Sequence, residues 1–484
     1  MDINMNREVL VIGKGTAGAA AAEKIIDLGY RVTRVCNPEQ VSGTPGDFRV
    51  NFIKDGKTES HIFGAIVAAP EYKLEPLNKN YGLKLGENVL TQTEFENFIK
   101  SKSRLKQLAN GKGFSVAFVS GYGNESRPEN LRKILEAAGT VQSMKNCNAY
   151  MFVNNVKVGA HGLEKLFTRI RHDGVLCFKP ERMPEIRHSS NGFSITFHDP
   201  VIRRDIKFLL DYIVVEEEPG PDEKSETLRS ILGIDTDCQG FFQSNNVHRF
   251  PVMTNRKGIY VAHKEKDAVN IALRIHGLLG RGMVSVDEDQ ALVDPEKCVL
   301  CLTCYRCCPH GAVSWKDNAA VISPVACQGC GICAGECPMD AIQIKNFSDD
   351  YLEAGVEKTV VKDKSIVVFC CENSALHAFK KAGEQKDKLP CNLNIIHVPC
   401  AGKVDVKLIW QALALGAKGV VIAACHRGNC RSEHGNTYAE WRLNEILKRL
   451  DASVINREQV GFINVASNMA GDFAEKINEF VQGL

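Results

Sequence analysis

Apolar positions in the first part of the chain fall in short runs separated by stretches of helical period. Glu8 to Ile12 reads as a buried strand, Ala17 to Leu28 as an Ala-rich helix and Tyr30 to Cys36 as a second strand. Phe114 to Ser120 is another strand, followed by a helical pattern over Pro128 to Ala138. Further strands are expected at Tyr150 to Val153, Gly174 to Phe178, Phe193 to Phe197, Tyr212 to Val215 and Gly258 to Ala262. Strands alternating with helices predict an α/β fold built on a parallel sheet with insertions. The charged, proline-containing run Glu216 to Pro221 reads as a solvated surface loop.

From Asp294 to Phe347 the texture changes to Cys, Pro and Gly with few periodic runs. Alternation returns beyond Val360. Strands are expected at Ser365 to Phe369, Leu393 to Val398, Gly419 to Ala423 and Val460 to Val465. Helices follow at Ala375 to Gly383, Val404 to Leu415, Tyr438 to Leu450 and Met469 to Val481. The expected domains are 1–290, 291–347 and 360–484. Three domains also suit a length of 484 residues.

Charge and hydropathy narrow the class. Lys+Arg 60 against Asp+Glu 58 gives a net charge of +2, without the basic surplus of a nucleic-acid binder. No apolar run approaches the ~18 residues of a membrane span, and the N-terminus runs into its first strand without a secretory signal. A cytoplasmic location is expected, with any membrane association made through partner subunits. Cysteine is the unusual residue. Of 19, nine lie between positions 298 and 337 and six between 370 and 430. An odd, clustered set in a reducing compartment points to metal ligation rather than disulfides.

The central cysteines form two matching runs. Cys298-x2-Cys301-x2-Cys304-x3-Cys308-Pro309 is followed by Cys327-x2-Cys330-x2-Cys333-x3-Cys337-Pro338. This is bacterial ferredoxin spacing, in which the fourth cysteine of each run ligates the cluster of the other. One 4Fe–4S cluster is therefore expected on Cys298, Cys301, Cys304 and Cys337, and the second on Cys327, Cys330, Cys333 and Cys308. Cys307 is left over as a non-ligand. Paired structural zinc sites usually space two CxxC knuckles by a longer loop and lack the Cys-Pro at a fixed interval. The region resembles dicluster ferredoxin domains, which have an α+β fold, over about 50 residues.

Near the N-terminus, Gly13-Lys14-Gly15-Thr16-Ala17-Gly18 lies between a strand and an Ala-rich helix. Gly13 permits the tight turn, Gly15 lets backbone approach a pyrophosphate and Gly18 allows close helix–strand packing. The helix N-terminus with Thr16 and Ala17 attracts negative charge. A Rossmann-like domain of FAD type is expected. At the end of the second strand, where an acid would hold ribose hydroxyls, the chain has Asn37. A Rossmann-like domain that has kept its fold without a cofactor is the alternative.

The C-terminal cysteines are informative by placement. Val367-Val368-Phe369 ends in Cys370-Cys371, Ile395 to Pro399 ends in Cys400, and Val420 to Ala424 ends in Cys425 with Cys430 five residues on. In an open parallel sheet, ligands gather at the carboxyl ends of strands. Cys370 or Cys371, with Cys400, Cys425 and Cys430, thus forms a four-sulfur site for a 2Fe–2S cluster or a zinc ion. Neighbouring residues of a strand face opposite ways, so only one of Cys370 and Cys371 should ligate. Cys391, Cys36, Cys177 and Cys238 read as packing or bland thiols.

Three resemblances follow. The glycine turn, Phe114 to Glu136, Tyr150 to Phe167, Glu217 to Leu232 and Gly258 to Ala262 resemble the flavoprotein subunit of heterodisulfide reductase over most of the first 285 residues. That family usually carries a cysteine cluster mid-domain. Here only Cys147 lies nearby, so no extra cluster is expected. Its Gly-rich turn after the last strand is replaced by His263-Lys264-Glu265-Lys266-Asp267, with Asp267 the remaining candidate for a flavin contact. Phe369-Cys370-Cys371, Val398 to Asp405 and Ala424 to Cys430 resemble the delta subunit of methyl-viologen-reducing hydrogenase. That resemblance implies a flavodoxin-like parallel α/β domain holding a 2Fe–2S cluster.

Together the parts resemble fused electron-transfer subunits of the heterodisulfide-reductase type, including those of quinone-interacting oxidoreductases. They imply a subunit relaying electrons between FAD, two 4Fe–4S clusters and a 2Fe–2S-type centre inside a larger redox complex, with no catalytic residue of its own. One alternative is a self-sufficient NAD(P)H- or ferredoxin-dependent flavin iron–sulfur oxidoreductase. It needs a second nucleotide fingerprint, and Gly121-Tyr122-Gly123-Asn124-Glu125-Ser126 lacks the third glycine. The other is a cluster-bearing scaffold without flavin.

Overall fold

The computed structural model describes residues 2–484 except 55, 102–112, 123–124, 190–191, 200, 222, 243–245, 287–289, 387 and 451–455. Two compact units emerge: Met1–Glu71 with Glu223–Leu484, and Tyr72–Asp222. The first holds residues from all three expected domains, and the second interrupts the N-terminal one.

In the first unit a four-stranded parallel sheet runs in the order Ile259–Val261, Ala65–Ala68, Glu8–Ile12, Arg31–Val35. Val9, Leu10 and Val11 are fully buried because both faces of this sheet are covered. Helices Thr16–Asp27 and Asp267–Leu279 pack Ala21, Ile25, Ile271 and Ile275 on one face. The antiparallel meander Pro38–Thr44, Asp47–Lys54, Lys57–Phe63 presents Phe48, Val50, Phe52 and Phe63 to the other. Burying each such side chain stabilises the fold by ~1.5–3 kcal/mol.

The cysteine-rich segment is built from two hairpin-like pairs, Ala291–Val293 with Ile342–Ile344 and Val313–Lys316 with Ala319–Ile322. Two short helices, Thr303–Cys307 and Ile332–Gly335, complete it. Beyond it comes a four-stranded parallel sheet in the order Leu393–Val398, Ile366–Cys371, Gly419–Ala424, Val460–Asn464. Helices Val406–Ala414 and Gly435–Leu450 cover one face, with Ala375–Glu384 and Ala470–Gln482 on the other. The expected strand–helix alternation is present throughout this domain.

The second unit carries its own five-stranded parallel sheet, ordered Leu176–Phe178, Asn148–Val153, Ser115–Ser120, Tyr212–Val215, Val89–Thr91. A meander, Glu185–Ser189, Gly192–Asp199, Arg204–Leu210, packs Phe193, Ile195 and Phe197 against it. The run 216–221 departs from the expected solvated loop. Glu217–Gly220 is a strand paired antiparallel with Lys73–Pro76, and Glu216 and Glu217 are buried. Hydrogen bonds from Gly121 N–H and the Ser126 hydroxyl to Glu216, and from Thr93 N–H to Glu217, replace water there.

Candidate functional site

The two cysteine runs fold so that their loops face each other. Each short helix starts after a residue in left-handed backbone, Leu302 (φ 58°) and Gly331 (φ 79°), which turns the chain sharply between the second and third cysteines. Two small cavities result. One is lined by Cys298, Cys301, Cys304 and Cys337, the other by Cys308, Cys327, Cys330 and Cys333. Each takes three sulfurs from one run and its last from the other. Backbone amides approach the sulfurs as well: Ala320 N–H to Cys298, Gly329 N–H to Cys327 and Ala341 N–H to Cys337, at 3.5, 3.5 and 3.3 Å. Both the sulfur sets and the amide donors suit iron–sulfur clusters. Cys307 lines neither cavity. It is buried against the Cys304 carbonyl, and burial pushes its thiol up to about 12.

A second sulfur group lies at the carboxyl edge of the C-terminal sheet. Cys371, Cys400, Cys425 and Cys430 form one buried cluster, and Cys330 packs against it. The sulfurs approach in pairs, Cys371 with Cys425 at 3.7 Å and Cys400 with Cys430 at 3.9 Å. Two thiolates on one tetrahedral metal with bonds of ~2.3 Å lie about 3.8 Å apart. Hydrogen bonding from Cys371 and Cys430 draws the Cys425 thiol far down, whereas bonds to Cys371 and Cys430 hold the Cys400 thiol up. Among the described residues, no three Cys, His, Asp or Glu side chains converge as a single-ion site requires. Cys370 points the other way, into the core with Ile366, Val368 and Phe473. Of the two candidates at that strand end, Cys371 alone joins the cluster. Cys391 is exposed and apart.

Around the quartet, Asn436 Nδ2 donates to the carbonyls of Cys425 and His426, and Asn464 Nδ2 to that of Cys425. His426 Nε2 lies 3.3 Å from the Met469 sulfur and Arg427 pairs with Glu440, so both side chains serve their own loop.

The glycine turn has the geometry a pyrophosphate needs. Gly13 has φ 134°, and a Cβ there would sit 2.2 Å from the Ala69 carbonyl oxygen. Helix Thr16–Asp27 begins at Gly15 with neither a side-chain cap nor an acidic first turn, so its amides remain oriented toward an anion. Thr16 is exposed, Ala17 half-buried and Gly18 buried against Val11 and Ala69. The ribose side is different. Asn37 is exposed, and Arg34 reaches back to donate to the carbonyls of Gly13 and Lys14 at 3.1 and 3.2 Å. The Glu71 side chain lies beside Gly15, 2.9 Å from where a Cβ would be. Asp267 closes its own turn by accepting from the amides of His263 and Lys264, both at 3.0 Å, rather than reaching toward the glycines.

Residues 366–484 match the family model described as methyl-viologen-reducing hydrogenase, delta subunit, and residues 320–343 match a 4Fe–4S binding domain. Over 118 residues the chain is 32% identical to the vhu iron–sulfur subunit of the F420-non-reducing hydrogenase of Methanopyrus kandleri, covering 24% of this chain and 89% of that protein. The C-terminal domain belongs to the hydrogenase delta-subunit family. Its four-sulfur edge is thus a feature of a delta-subunit domain, here joined to a 4Fe–4S binding domain in one chain. The chain is also similar to the same subunit of two heterodisulfide reductases. That of the ferredoxin/F420H2-dependent CoB–CoM heterodisulfide reductase from Methanosarcina acetivorans is 28% identical over 452 residues, 87% of this chain and 57% of that one. That of the H2:CoB–CoM heterodisulfide,ferredoxin reductase from Methanothermobacter marburgensis is 25% identical over 277 residues, 51% of this chain and 42% of that one. The chain therefore spans little more than half the length of the first of these relatives and less than half of the second.

Several residues against the delta-subunit domain's sulfur edge escaped the sequence reading. Lys403 and Arg442 are buried cations beside the Cys400 turn, paired with Asp349 and Glu336. Lysine and arginine read as surface residues in a sequence, and only the spacing of Lys403, three residues after Cys400, hints otherwise.

Proposed function

We propose that this chain is an electron-transfer subunit of a heterodisulfide-reductase-like complex. It would hold two 4Fe–4S clusters on the crossed cysteine sets, a 2Fe–2S cluster on Cys371, Cys400, Cys425 and Cys430, and FAD at the Gly13–Gly18 turn. The observation that carries the reading is the meeting of the second cysteine run with the four-sulfur edge at Cys330. Bound there, such clusters supply one-electron carriers. The chain's own residues keep the sulfurs buried, present amides to them and hold the two sites in contact. The pairwise approach of the four sulfurs supports two irons over one zinc ion. The uncapped helix N-terminus and the glycine turn support a dinucleotide, with Asn37 in place of the usual acid. Partners are then other subunits of such a complex. Among the described residues no helix is long and apolar enough to cross a membrane, so contact with a quinone-reducing membrane partner would run through another subunit.

The geometry of the second unit disfavours a self-sufficient NAD(P)H enzyme. In its parallel sheet, Ser115–Ser120 has neighbours on both sides from opposite directions of the chain, which marks the strand end where a nucleotide phosphate is expected. The carboxyl group of Glu216 fills that place, accepting from Gly121 N–H at 3.1 Å and the Ser126 hydroxyl at 2.8 Å. Gly123 and Asn124 of the same turn lie outside the described residues. Anaerobically purified chain mixed with NADH or NADPH alone is expected to stay oxidised, while dithionite bleaches its visible absorption. Bleaching by NAD(P)H without partners overturns the conduit reading.

A further inference from the structure

The second cysteine run and the Cys400 turn meet through two ion pairs withdrawn from water. Lys403 is fully buried, and its ammonium contacts the Asp349 carboxylate, whose other oxygen accepts from Gln343 Nε2 at 2.5 Å. The lysine stem lies flat on Gly331, the residue after Cys330. A Cβ at Gly331 would come within 2.8 Å of both Cβ and Cδ of Lys403, and its φ of 79° also favours glycine. Arg442, also buried, pairs through Nε with Glu336 at 2.8 Å, next to Cys337, and donates to the carbonyls of Gly402 and Val404. Each cation thus ties a turn that carries a C-terminal cysteine to a loop that carries a ferredoxin-type cysteine.

Burying an ion pair costs several kcal/mol per ion, and an apolar pair of the same shape often stabilises as well or better. General stability therefore does not account for Lys403 and Asp349. What the pair does supply is register: a directional contact that fixes which part of the second run faces Cys400. We propose that Lys403, with Asp349, is a positioning residue that holds the Cys330 loop against the Cys400 turn. The centre ligated by Cys330 thereby becomes the exchange partner of the four-sulfur centre. Electron exchange between centres depends on their separation, so the clamp acts by holding distance and not by touching the reacting atoms. This rests on the reading of Cys371, Cys400, Cys425 and Cys430 as a 2Fe–2S site.

The test is EPR spectroscopy of the dithionite-reduced full chain, with iron and sulfide content measured on the same samples. The unaltered chain is expected to show a two-iron and four-iron signals that broaden one another magnetically. The double variant Lys403→Met with Asp349→Asn removes both charges together, so neither is left buried alone. It is expected to keep its iron and sulfide but lose the mutual broadening. Gly331→Ala keeps both charges and displaces the lysine stem, and it is expected to weaken the broadening in the same way should the double variant fail to fold. Unchanged broadening in an iron-replete variant overturns the positioning role alone. A missing two-iron signal in the unaltered chain overturns the underlying reading, and the clamp with it.

Discussion

Cys370 and Cys371 are adjacent, equally buried and opposite in consequence. Strand alternation sends Cys371 into the sulfur quartet and Cys370 into the core behind the sheet. Cys371→Ala is therefore expected to lose the two C-terminal irons while keeping the ferredoxin-type complement. Cys370→Ala should keep all the iron and lose only about 1 kcal/mol of stability from a small packing defect. Iron analysis of the two purified variants, with thermal unfolding, distinguishes them.

Glu216 offers a second residue-level prediction. Burial raises its pKa above the ordinary 4.5, although the Ser126 hydroxyl and the Gly121 amide oppose the rise. A carboxyl that holds its proton more tightly when folded stabilises the fold below its unfolded pKa, and that contribution is lost as pH rises through the folded value. The native chain is thus expected to lose stability relative to Glu216→Gln as pH rises from 4.5. Thermal unfolding of both proteins across that range reads it, and parallel curves would show that Glu216 is ionised in the fold.

Among the elements, the strand–turn–helix at the N-terminus was legible because its three glycines answer to three separate local demands. Gly13→Ala would force a Cβ into the Ala69 carbonyl. It is expected to cost at least the ~1–3 kcal/mol of ordinary overpacking, to lower the unfolding temperature and to abolish flavin retention. The crossed cysteine sets were legible too, because two-residue gaps and a following proline constrain the loop locally. The strand Glu217–Gly220 was not. Its run of glutamates resembles a solvated loop, and only distant partners, Gly121, Ser126 and Thr93, make burial tolerable. Lys403 was missed for the same reason, since its carboxylate partner comes from a helix that precedes the delta-subunit sheet.

At the scale of the whole molecule, the strand order explains what reading along the chain cannot reach. Ala65–Ala68 pairs with both Glu8–Ile12 and Ile259–Val261, so the N-terminal sheet closes only after the entire second unit has been made. Local patterning identified the strands but not this non-local pairing, because register between distant segments is set by packing. The same closure puts the glycine turn, both cysteine runs and the sulfur edge in one unit, the arrangement expected of a conduit. Anaerobic purification of the full chain, followed by iron, acid-labile sulfide, zinc and flavin quantification, weighs that arrangement as a whole. The expected result is about ten irons, eight from the ferredoxin-type region and two from the C-terminal edge, with matching sulfide, stoichiometric FAD and no zinc. Zinc with little iron would contradict it.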